Sequence, residues 1–307
     1  MCDKTARPGV WRAWLTLFRP PNLFTAPGDP LVGAMLASGT LGLLPQWHLI
    51  GATLGAALLF YAAGLLANDF FDRSIDALER PDRPIPSGAV SPFTVLAVAV
   101  ALTLAGILLL VLAGRPAFVM GLLLAGASWF YNSTGKRVGW LAPLSMGLCR
   151  GLSLWMGACT FGFQGAMTTD VLVSVVALTL FIALITGFAR DEAASSRSAI
   201  PLWRIGRLPI LLAAWLAFIL LRSPHTAPLA FILAAMSLVW VVVWVIQIKP
   251  SASPQQIQSA IGGLIRGLIL TQAALCASTG SEGQGAALLL LAAFPVSGWL
   301  GRWFYGS

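Results

Sequence analysis

Charged residues are scarce in this chain of 307 residues. They make up 10% of it, whereas hydrophobic residues make up 58%. Soluble globular proteins carry about 25% charged residues, so this composition excludes an ordinary soluble domain. Histidine occurs only at His48 and His225, which lie apart at the edges of apolar stretches, and we assign neither a role.

The chain also has few cysteines and no recognisable secretory signal. Its four cysteines show neither paired nor metal-type spacing, which argues against a disulfide framework or a zinc site. They are Cys2, Cys149, Cys159 and Cys276. The first ten residues, Met1–Val10, are polar and contain no hydrophobic segment, so we expect no cleavable signal peptide.

Long apolar runs dominate the rest of the sequence. About 20 apolar residues in a helix are needed to span the hydrocarbon core of a membrane, and ten blocks approach that length. One of them, Leu208–Leu221, is short for a full crossing. The pattern predicts an all-α, multi-pass bundle without a linker that would divide it. The blocks are residues 20–41, 49–71, 92–113, 117–133, 141–162, 171–189, 208–221, 228–248, 257–277 and 286–304.

The net charge of +8 is distributed very unevenly between the loops. Fourteen basic residues precede the first block or follow blocks two, four, six and eight, whereas the opposite loops hold only Arg115 and Arg222. By the positive-inside rule, the N-terminus and the basic loops are expected in the cytoplasm. The excess therefore indicates topology and contact with anionic lipids rather than a nucleic-acid groove. The fourteen are Lys4, Arg7, Arg12, Arg19, Arg73, Arg80, Arg83, Lys136, Arg137, Arg190, Arg197, Arg204, Arg207 and Lys249.

The most informative stretch, Ala67–Gly88, follows the second block. Asp69, Asp72 and Asp76 are spaced i, i+3 and i+7, so a helix would place their carboxylates on one face, with Asn68 beside Asp72. These carboxylates would repel one another unless a cation lay among them. Hard oxygen ligands at this spacing suit Mg²⁺, which takes one or two carboxylates and completes its shell with water and phosphate oxygens. The alternative is a polar helix end solvated at the membrane interface.

Three motifs resemble one known family. The sequence N-D-x-x-D-x-x-x-D, continued by R-P-D-R-P-I-P-S-G at Arg80–Gly88, resembles the first aspartate-rich motif of the UbiA-type intramembrane prenyltransferases. Leu17–Pro20 resembles the opening of that family, and Tyr131–Arg137 resembles its Y-x-x-x-x-K-R segment. The resemblance covers roughly residues 15–200, and the last hundred residues match only in hydrophobic pattern.

The resemblance implies one membrane domain over residues 1–307, with about nine transmembrane helices enclosing a central chamber. The implied reaction is Mg²⁺-dependent transfer of a polyprenyl group from an allylic prenyl diphosphate to a small acceptor, aromatic in much of the family (a phenol or quinone precursor). We expect a bacterial inner-membrane protein with its catalytic loops in the cytoplasm. The alternatives are a non-catalytic protein of the same fold that binds or moves a lipid-linked or aromatic compound, and a secondary transporter.

The resemblance also assigns roles to individual residues. Asp69, Asp72, Asp76 and Asp191 would be catalytic, and Asn68, Asp69, Asp72 and Asp191 would hold Mg²⁺. The diphosphate would contact Asn68, Lys136, Arg137, Arg190 and Arg19.

The second acidic motif of the family, D-x-x-x-D, is incomplete in this chain. Asp191 is followed four residues later by Ser195, and Arg190 and Arg197 flank the segment with positive charge. We expect either one weakly bound metal, helped by Glu192, or arginines in place of a metal. This departure resembles a divergent branch of the family, the EboC-like proteins.

Three charged residues, Asp29, Arg150 and Arg266, fall near the middle of apolar blocks. A basic side chain at mid-depth costs about 2.5–3.5 kcal/mol on insertion scales, so each of these is expected to be paired or functional. Asp29 is predicted either to line a substrate chamber or to pair with Arg150 or Arg266. The candidate partners of Arg150 are Asp29, Asp170 or an anionic group of a substrate.

Overall fold

The computed structural model describes residues 9–194, 206–223, 226–248 and 254–304, without the side chains of residues 189–194, 254, 255, 302 and 304. Within those ranges the secondary structure is helical and no strand occurs, which confirms the all-α prediction. The helices are α1 (Val10–Phe18), α2 (Pro20–Leu23), α3 (Gly28–Leu41), α4 (Trp47–Glu79), α5 (Pro92–Leu110), α6 (Arg115–Ser133), α7 (Leu141–Ala158), α8 (Gly162–Ala166), α9 (Thr169–Ala194), α10 (Arg207–Arg222), α11 (Pro228–Gln247), α12 (Pro254–Ala277) and α13 (Ser281–Phe304), with short 3₁₀ turns at Val111–Ala113, Gly135–Arg137 and Cys159–Phe161.

Every apolar block of the sequence contains at least one helix. Six helical segments of the described chain are long and apolar enough to cross a membrane: Trp47–Glu79, Pro92–Ala113, Thr169–Phe188, Pro228–Gln247, Gln256–Ala277 and Ser281–Gly301. Helices α3 and α10 have 14 and 16 residues. At 1.5 Å per residue they are only about 21 and 24 Å long. The chain is thus a multi-pass membrane bundle.

The first apolar block is broken, as its prolines predict. Helix α1 ends at Arg19, whose backbone is left-handed (φ 46°), and Pro20 and Pro21 then start the single turn of α2. Proline suits the first positions of a helix because its missing N–H would be unsatisfied there anyway. A second break between Leu23 and Gly28 precedes α3. The segment between α1 and α3 can therefore turn polar groups towards neighbouring helices.

Small residues allow α3 and α7 to pack closely. A Cβ added to Gly33 would lie 1.9 Å from the carbonyl oxygen of Leu154, and a Cβ added to Gly157 would lie 1.9 Å from that of Pro30. Glycine is required at both positions because the two backbones are in direct contact, a common arrangement between membrane helices. This crossing fixes the first half of α3 against the last turns of α7.

Helix α4 and the loop after it build one end of the bundle. At 33 residues, α4 is about 50 Å long, so its last turns extend beyond its apolar part. The following loop folds back because Ile85 and Val90 are buried in one hydrophobic cluster with Leu17 of α1 and Leu66 of α4. Arg83 of this loop is thereby held against the polar end of α4.

Candidate functional site

Three carboxylates lie along one side of the last turns of α4, at the spacing that the sequence predicts. Asp69 and Asp76 are buried, each with 6% of its surface exposed, and the Asp72 side chain is 26% exposed. A buried carboxylate needs a partner, because removing its charge from water costs several kcal/mol. Each of the three acids is paired with a basic side chain from another segment.

Arg19 reaches Asp69 from the break after α1. Its Nη2 donates to Oδ1 of Asp69 at 2.7 Å, across 50 positions in sequence. The left-handed backbone of Arg19 ends α1 at this point, and the residue lies beside the acidic turns. The structure therefore brings Arg19 to the predicted site.

Arg83 bridges two of the acids. Its Nη1 donates to Oδ2 of Asp76 at 2.8 Å and approaches Oδ1 of Asp69 at 3.4 Å. The sequence interpretation placed Arg83 in the motif but gave it no role. The sequence signal for a role of Arg83 is its position between two prolines, shortly after a helix that carries acids seven residues apart.

Lys136 reaches the third acid from the turn after α6. Its Nζ lies 2.7 Å from Oδ1 of Asp72 and donates to Oδ1 of Asn68 at 3.1 Å. Lys136 thus brings together Asn68 and Asp72, one helical turn apart. Arg137 is exposed in the same turn, and none of the contacts in this cluster involves it. Of the two cations predicted to bind phosphate, Lys136 contacts these residues and Arg137 does not.

We call these seven residues the acidic–basic cluster: Asn68, Asp69, Asp72, Asp76, Arg19, Arg83 and Lys136. Three carboxylates face three basic side chains, so the cluster is close to neutral in this state. An oxyanion and a divalent cation arriving together would find the complementary charge for each already in place. The sequence predicted the acids as a metal cradle, whereas the structure shows them forming ion pairs.

The oxygen ligands of the cluster fit Mg²⁺. Asp69 and Asp72 offer carboxylates on adjacent turns, and Asn68 offers an amide oxygen. No group of three acidic, histidine or cysteine side chains in the described ranges is arranged to hold a metal alone. Mg²⁺ usually binds one or two carboxylates and takes its other ligands from water and substrate phosphates.

The remaining predicted site residues lie near the end of α9. The backbone of Arg190, Asp191 and Glu192 belongs to this helix, whereas their side chains lie outside the described part of the structure, as do residues 195–205. The assignments of Asp191 and Arg190 stay predictions.

A second polar group, deep in the bundle, resolves the alternatives for Asp29 and Arg150. Nε of Arg150 lies 2.6 Å from Oδ2 of Asp29, and its Nη2 donates to Oδ1 of Asp29 at 3.1 Å and to the carbonyl oxygen of Thr25 at 3.0 Å. Nε2 of Gln272 on α12 donates to the same two oxygens, at 2.8 and 3.0 Å. The partner of Arg150 is thus Asp29, and Asp170 pairs instead with Arg222, at 2.9 Å.

Arg266 is the remaining intramembrane arginine. Within the described ranges it forms no ion pair with an acid, and it lines a narrow cleft with Pro21, Asn22, Thr25, Gly262, Ile265 and Ser297. This cleft lies between α2, α12 and α13. The expectation that Arg266 is paired or functional stays a prediction.

Comparison with known proteins places these observations in one family. The model of the UbiA prenyltransferase family matches residues 30–260. The chain is similar to digeranylgeranylglyceryl phosphate synthase of Natronomonas pharaonis, with 33% identity over 175 residues, which are 57% of this chain and 59% of that protein. The chain spans between 40% and 60% of the length of three curated relatives with this name.

Solved structures show the same fold. The apo structure of a UbiA homolog from Aeropyrum pernix K1 superposes with a TM-score of 0.65 at 18% identity, covering 88% of this chain and 98% of that one. A UbiA homolog from Archaeoglobus fulgidus bound to GPP and Mg²⁺ gives a TM-score of 0.58 at 15% identity, covering 86% and 99%. The predicted resemblance to the family is confirmed.

Proposed function

The chain belongs to the UbiA prenyltransferase family, and we propose that it transfers a polyprenyl group from an allylic prenyl diphosphate to an acceptor within the membrane. The observation that carries this proposal is the acidic–basic cluster, in which Asp69 and Asp72 contact Arg19 and Lys136 at one end of the bundle. The cluster offers oxygen ligands for a metal and fixed cations for a diphosphate at the same place.

The acceptor that we propose is a lipid carrying a glyceryl phosphate. The curated relatives named above support it, because their name states such a product. An aromatic acceptor, which the sequence resemblance suggested, is the second candidate, and the relatives give it no support. The two differ in a decisive property: the glyceryl lipid carries a phosphate, whereas a phenol or quinone precursor offers a ring.

We propose Mg²⁺ as the cofactor, held by Asn68, Asp69 and Asp72, with Asp191 as a ligand for a second ion. The Archaeoglobus fulgidus homolog bound to GPP and Mg²⁺ supports this choice, as do the oxygen ligands on α4. When bound, the ion would neutralise negative charge that develops on the leaving diphosphate. Asp69 and Asp72 would then each exchange part of an ion pair for the metal.

The basic side chains of the cluster would take the diphosphate. In the reaction the C–O bond of the allylic ester breaks, its electron pair leaves with the diphosphate, and an acceptor oxygen or ring carbon bonds to the allylic carbon and loses a proton. Lys136 and Arg19 lie where they can turn from Asp72 and Asp69 to phosphate oxygens. Arg83 would stay anchored by Asp76. Fixed positive charge aimed at a leaving group is a major source of catalysis.

The prenyl chain would occupy the apolar interior, where the allylic cation is protected from water. The N-terminus and the two loops of the cluster would face the cytoplasm by the distribution of basic residues. The curated relatives come from archaea, so the bacterial membrane suggested by the sequence resemblance stays a prediction.

The experiment that tests the function uses purified protein in detergent with a series of radiolabelled prenyl diphosphates, with and without Mg²⁺. We expect Mg²⁺-dependent release of diphosphate and a labelled lipid product when a glyceryl phosphate acceptor is present. Binding of prenyl diphosphate without cleavage, across all donors and acceptors, would instead support the non-catalytic binding protein.

A further inference from the structure

Arg19 adopts a backbone conformation that has to be held in place. Its φ of 46° is the only positive value outside glycine in the described ranges. Pro20 follows it, and a residue before proline is normally extended. Residues other than glycine persist in the left-handed region only where the surrounding structure enforces it. The ion pair with Asp69 holds the far end of the Arg19 side chain, so the backbone depends on what holds the adjoining chain.

The segment after Arg19 does not continue as a regular helix. In a continuing α-helix the amide of Thr25 would bond to the carbonyl oxygen of Pro21, but it bonds to that of Asn22 at 3.2 Å. Carbonyl groups released inside a membrane bundle have to be satisfied by neighbouring helices. The position of residues 20–25 therefore depends on side chains of other elements.

The deeper end of this segment is held at Thr25. Its carbonyl oxygen accepts from Arg150 of α7 and from Gln272 of α12, each at 3.0 Å. Both donors also bond to Asp29 at the start of α3, and all four residues are buried. This network fixes Thr25 between three helices. Because Thr25 lies six residues beyond Arg19, a nearer contact decides the direction in which the chain reaches Arg19.

The nearer contact comes from Ser297 on α13. Its Oγ donates to the carbonyl oxygen of Pro21 at 2.9 Å, two residues after Arg19 and 276 positions away in sequence. Ser297 has 2% of its surface exposed, and α2 packs against α13. A single buried hydroxyl thus joins the last helix of the chain to the start of α2.

This hydroxyl is used differently from those of other buried serines. Ser38 and Ser145 donate to carbonyl oxygens of their own helices, as serines inside helices commonly do. Ser297 instead donates to the backbone of another helix. Its hydroxyl therefore determines the position of a neighbouring segment rather than the shape of its own helix.

We infer that Ser297 is a positioning residue for Arg19. By fixing the start of α2, its hydroxyl directs the Arg19 guanidinium towards Asp69 and towards the diphosphate that would bind there. This inference rests on the proposed function and adds a residue of the last helix to the site. Both Ser297 and Arg19 lie outside residues 30–260, the range that matches the family model. The last helix thus acts on the donor through Arg19, without contacting it.

The first test compares two ligands that differ only in their head group, geranylgeranyl diphosphate and geranylgeraniol. Their Kd is measured for purified protein in detergent with Mg²⁺. Ser297→Ala should raise Kd for the diphosphate about three- to tenfold, the usual effect of losing one hydrogen bond, and leave that for the alcohol unchanged. Ser297→Thr keeps the hydroxyl and should bind the diphosphate nearly as well as the wild type. Ser38→Ala, which removes a buried hydroxyl bonded within α3, should change neither Kd.

A double-mutant cycle separates action through Arg19 from a general loosening of the bundle. Arg19→Ala alone should weaken binding of the diphosphate. If Ser297 acts through Arg19, adding Ser297→Ala to Arg19→Ala should raise Kd no further, whereas independent effects would add. Additive losses, or an equal loss of geranylgeraniol binding in Ser297→Ala, would overturn the inference.

A measurement without ligand keeps this inference separate from the proposed function. Hydrogen–deuterium exchange of residues 22–26 should be faster in Ser297→Ala than in the wild type and unchanged in Ser38→Ala, with thermal unfolding confirming that each variant is folded. Unchanged exchange in Ser297→Ala would refute the anchor, and faster exchange without a change in Kd for the diphosphate would make Ser297 structural only. If the wild type releases no diphosphate from any donor, the proposed transfer is wrong, yet the exchange and binding measurements still decide the role of Ser297.

Discussion

Lys136 joins the turn after α6 to acidic and amide side chains of α4 that lie 64 and 68 residues earlier in the sequence. Its ammonium group contacts Asp72 at 2.7 Å and also the side chain of Asn68, and the Lys136 side chain is only 12% exposed. The Asp72 side chain is 26% exposed and has one basic partner, whereas Asp69 and Asp76 are buried. We therefore expect Asp72 to be the acid of the cluster that changes partner most easily when substrate binds.

The first prediction concerns Asp72. Asp72→Asn keeps the size of the side chain and removes its charge, so it should lower prenyl transfer about 100-fold or more, the usual loss when a charge-stabilising group is removed. Thermal unfolding should stay near that of the wild type, because the residue is partly exposed. Glu79→Gln, an exposed acid on the same helix, is the control and should keep full activity. Full turnover by Asp72→Asn would exclude a metal held at this position.

Asp76 differs from Asp72 in what it contacts. It is buried and accepts from Arg83 at 2.8 Å, so its main effect is to position that arginine. An asparagine can still accept this hydrogen bond. The second prediction is that Asp76→Asn reduces kcat much less than Asp72→Asn, while Arg83→Ala, which leaves two buried carboxylates without this partner, lowers both activity and the melting temperature. An equal loss in the two asparagine variants would make Asp76 a direct metal or substrate ligand.

At the scale of secondary-structure elements, the contact of α3 with α7 supports both the Asp29–Arg150 pair and the acidic–basic cluster. It places Asp29 opposite Arg150, and it fixes the chain that leads back through α2 to Arg19. Because the backbones touch at Gly33 and Gly157, there is no room for a methyl group between the two helices. The interior polar network depends on this spacing.

The third prediction tests that contact. Gly157→Ala forces a methyl group against the Pro30 carbonyl and should destabilise the protein by about 1–3 kcal/mol, as overpacking does. Gly126→Ala on α6, where nothing lies within 4 Å of the added Cβ, should be neutral or stabilise by up to about 1 kcal/mol, because alanine favours a helix over glycine. Thermal unfolding in detergent measures both. A similar melting temperature for the two variants would mean that α3 and α7 are free to separate.

For the whole molecule, the sequence was sufficient to predict the helices and part of the cluster. Apolar blocks of membrane-spanning length allow almost no alternative to helices, because unpaired backbone groups are too costly in lipid. Asp69, Asp72 and Asp76 were found because their spacing matches a helix face. The resemblance, rather than any local pattern, brought Lys136 and Arg19 into the same site.

The rest of the site depends on packing that a sequence does not reveal. Arg83 lies in a loop, and its reach to Asp76 follows from the burial of Ile85 and Val90 against α1 and α4. The sequence offers Asp29, Asp170 or a substrate anion as the partner of Arg150, and the pairing with Asp29 follows from the crossing of α3 and α7. Arg137 follows Lys136 directly, yet the 3₁₀ turn at Gly135–Arg137 leaves it exposed.

The last prediction concerns the orientation of the bundle in the membrane. Lys136 contacts Asp72, so the loops after α4 and α6 lie at the same end, whereas Arg115 begins α6 at the other end. The basic residues cluster in the loops at the first end, which the positive-inside rule places in the cytoplasm. In a cysteine-free background, Asp82→Cys, in the exposed loop after α4, should resist an impermeant thiol reagent added to intact cells. Arg115→Cys should react with it, and both should react after the cells are opened. Labelling of Asp82→Cys with protection of Arg115→Cys in intact cells would reverse the orientation, placing the acidic–basic cluster outside and requiring the prenyl diphosphate to approach from there.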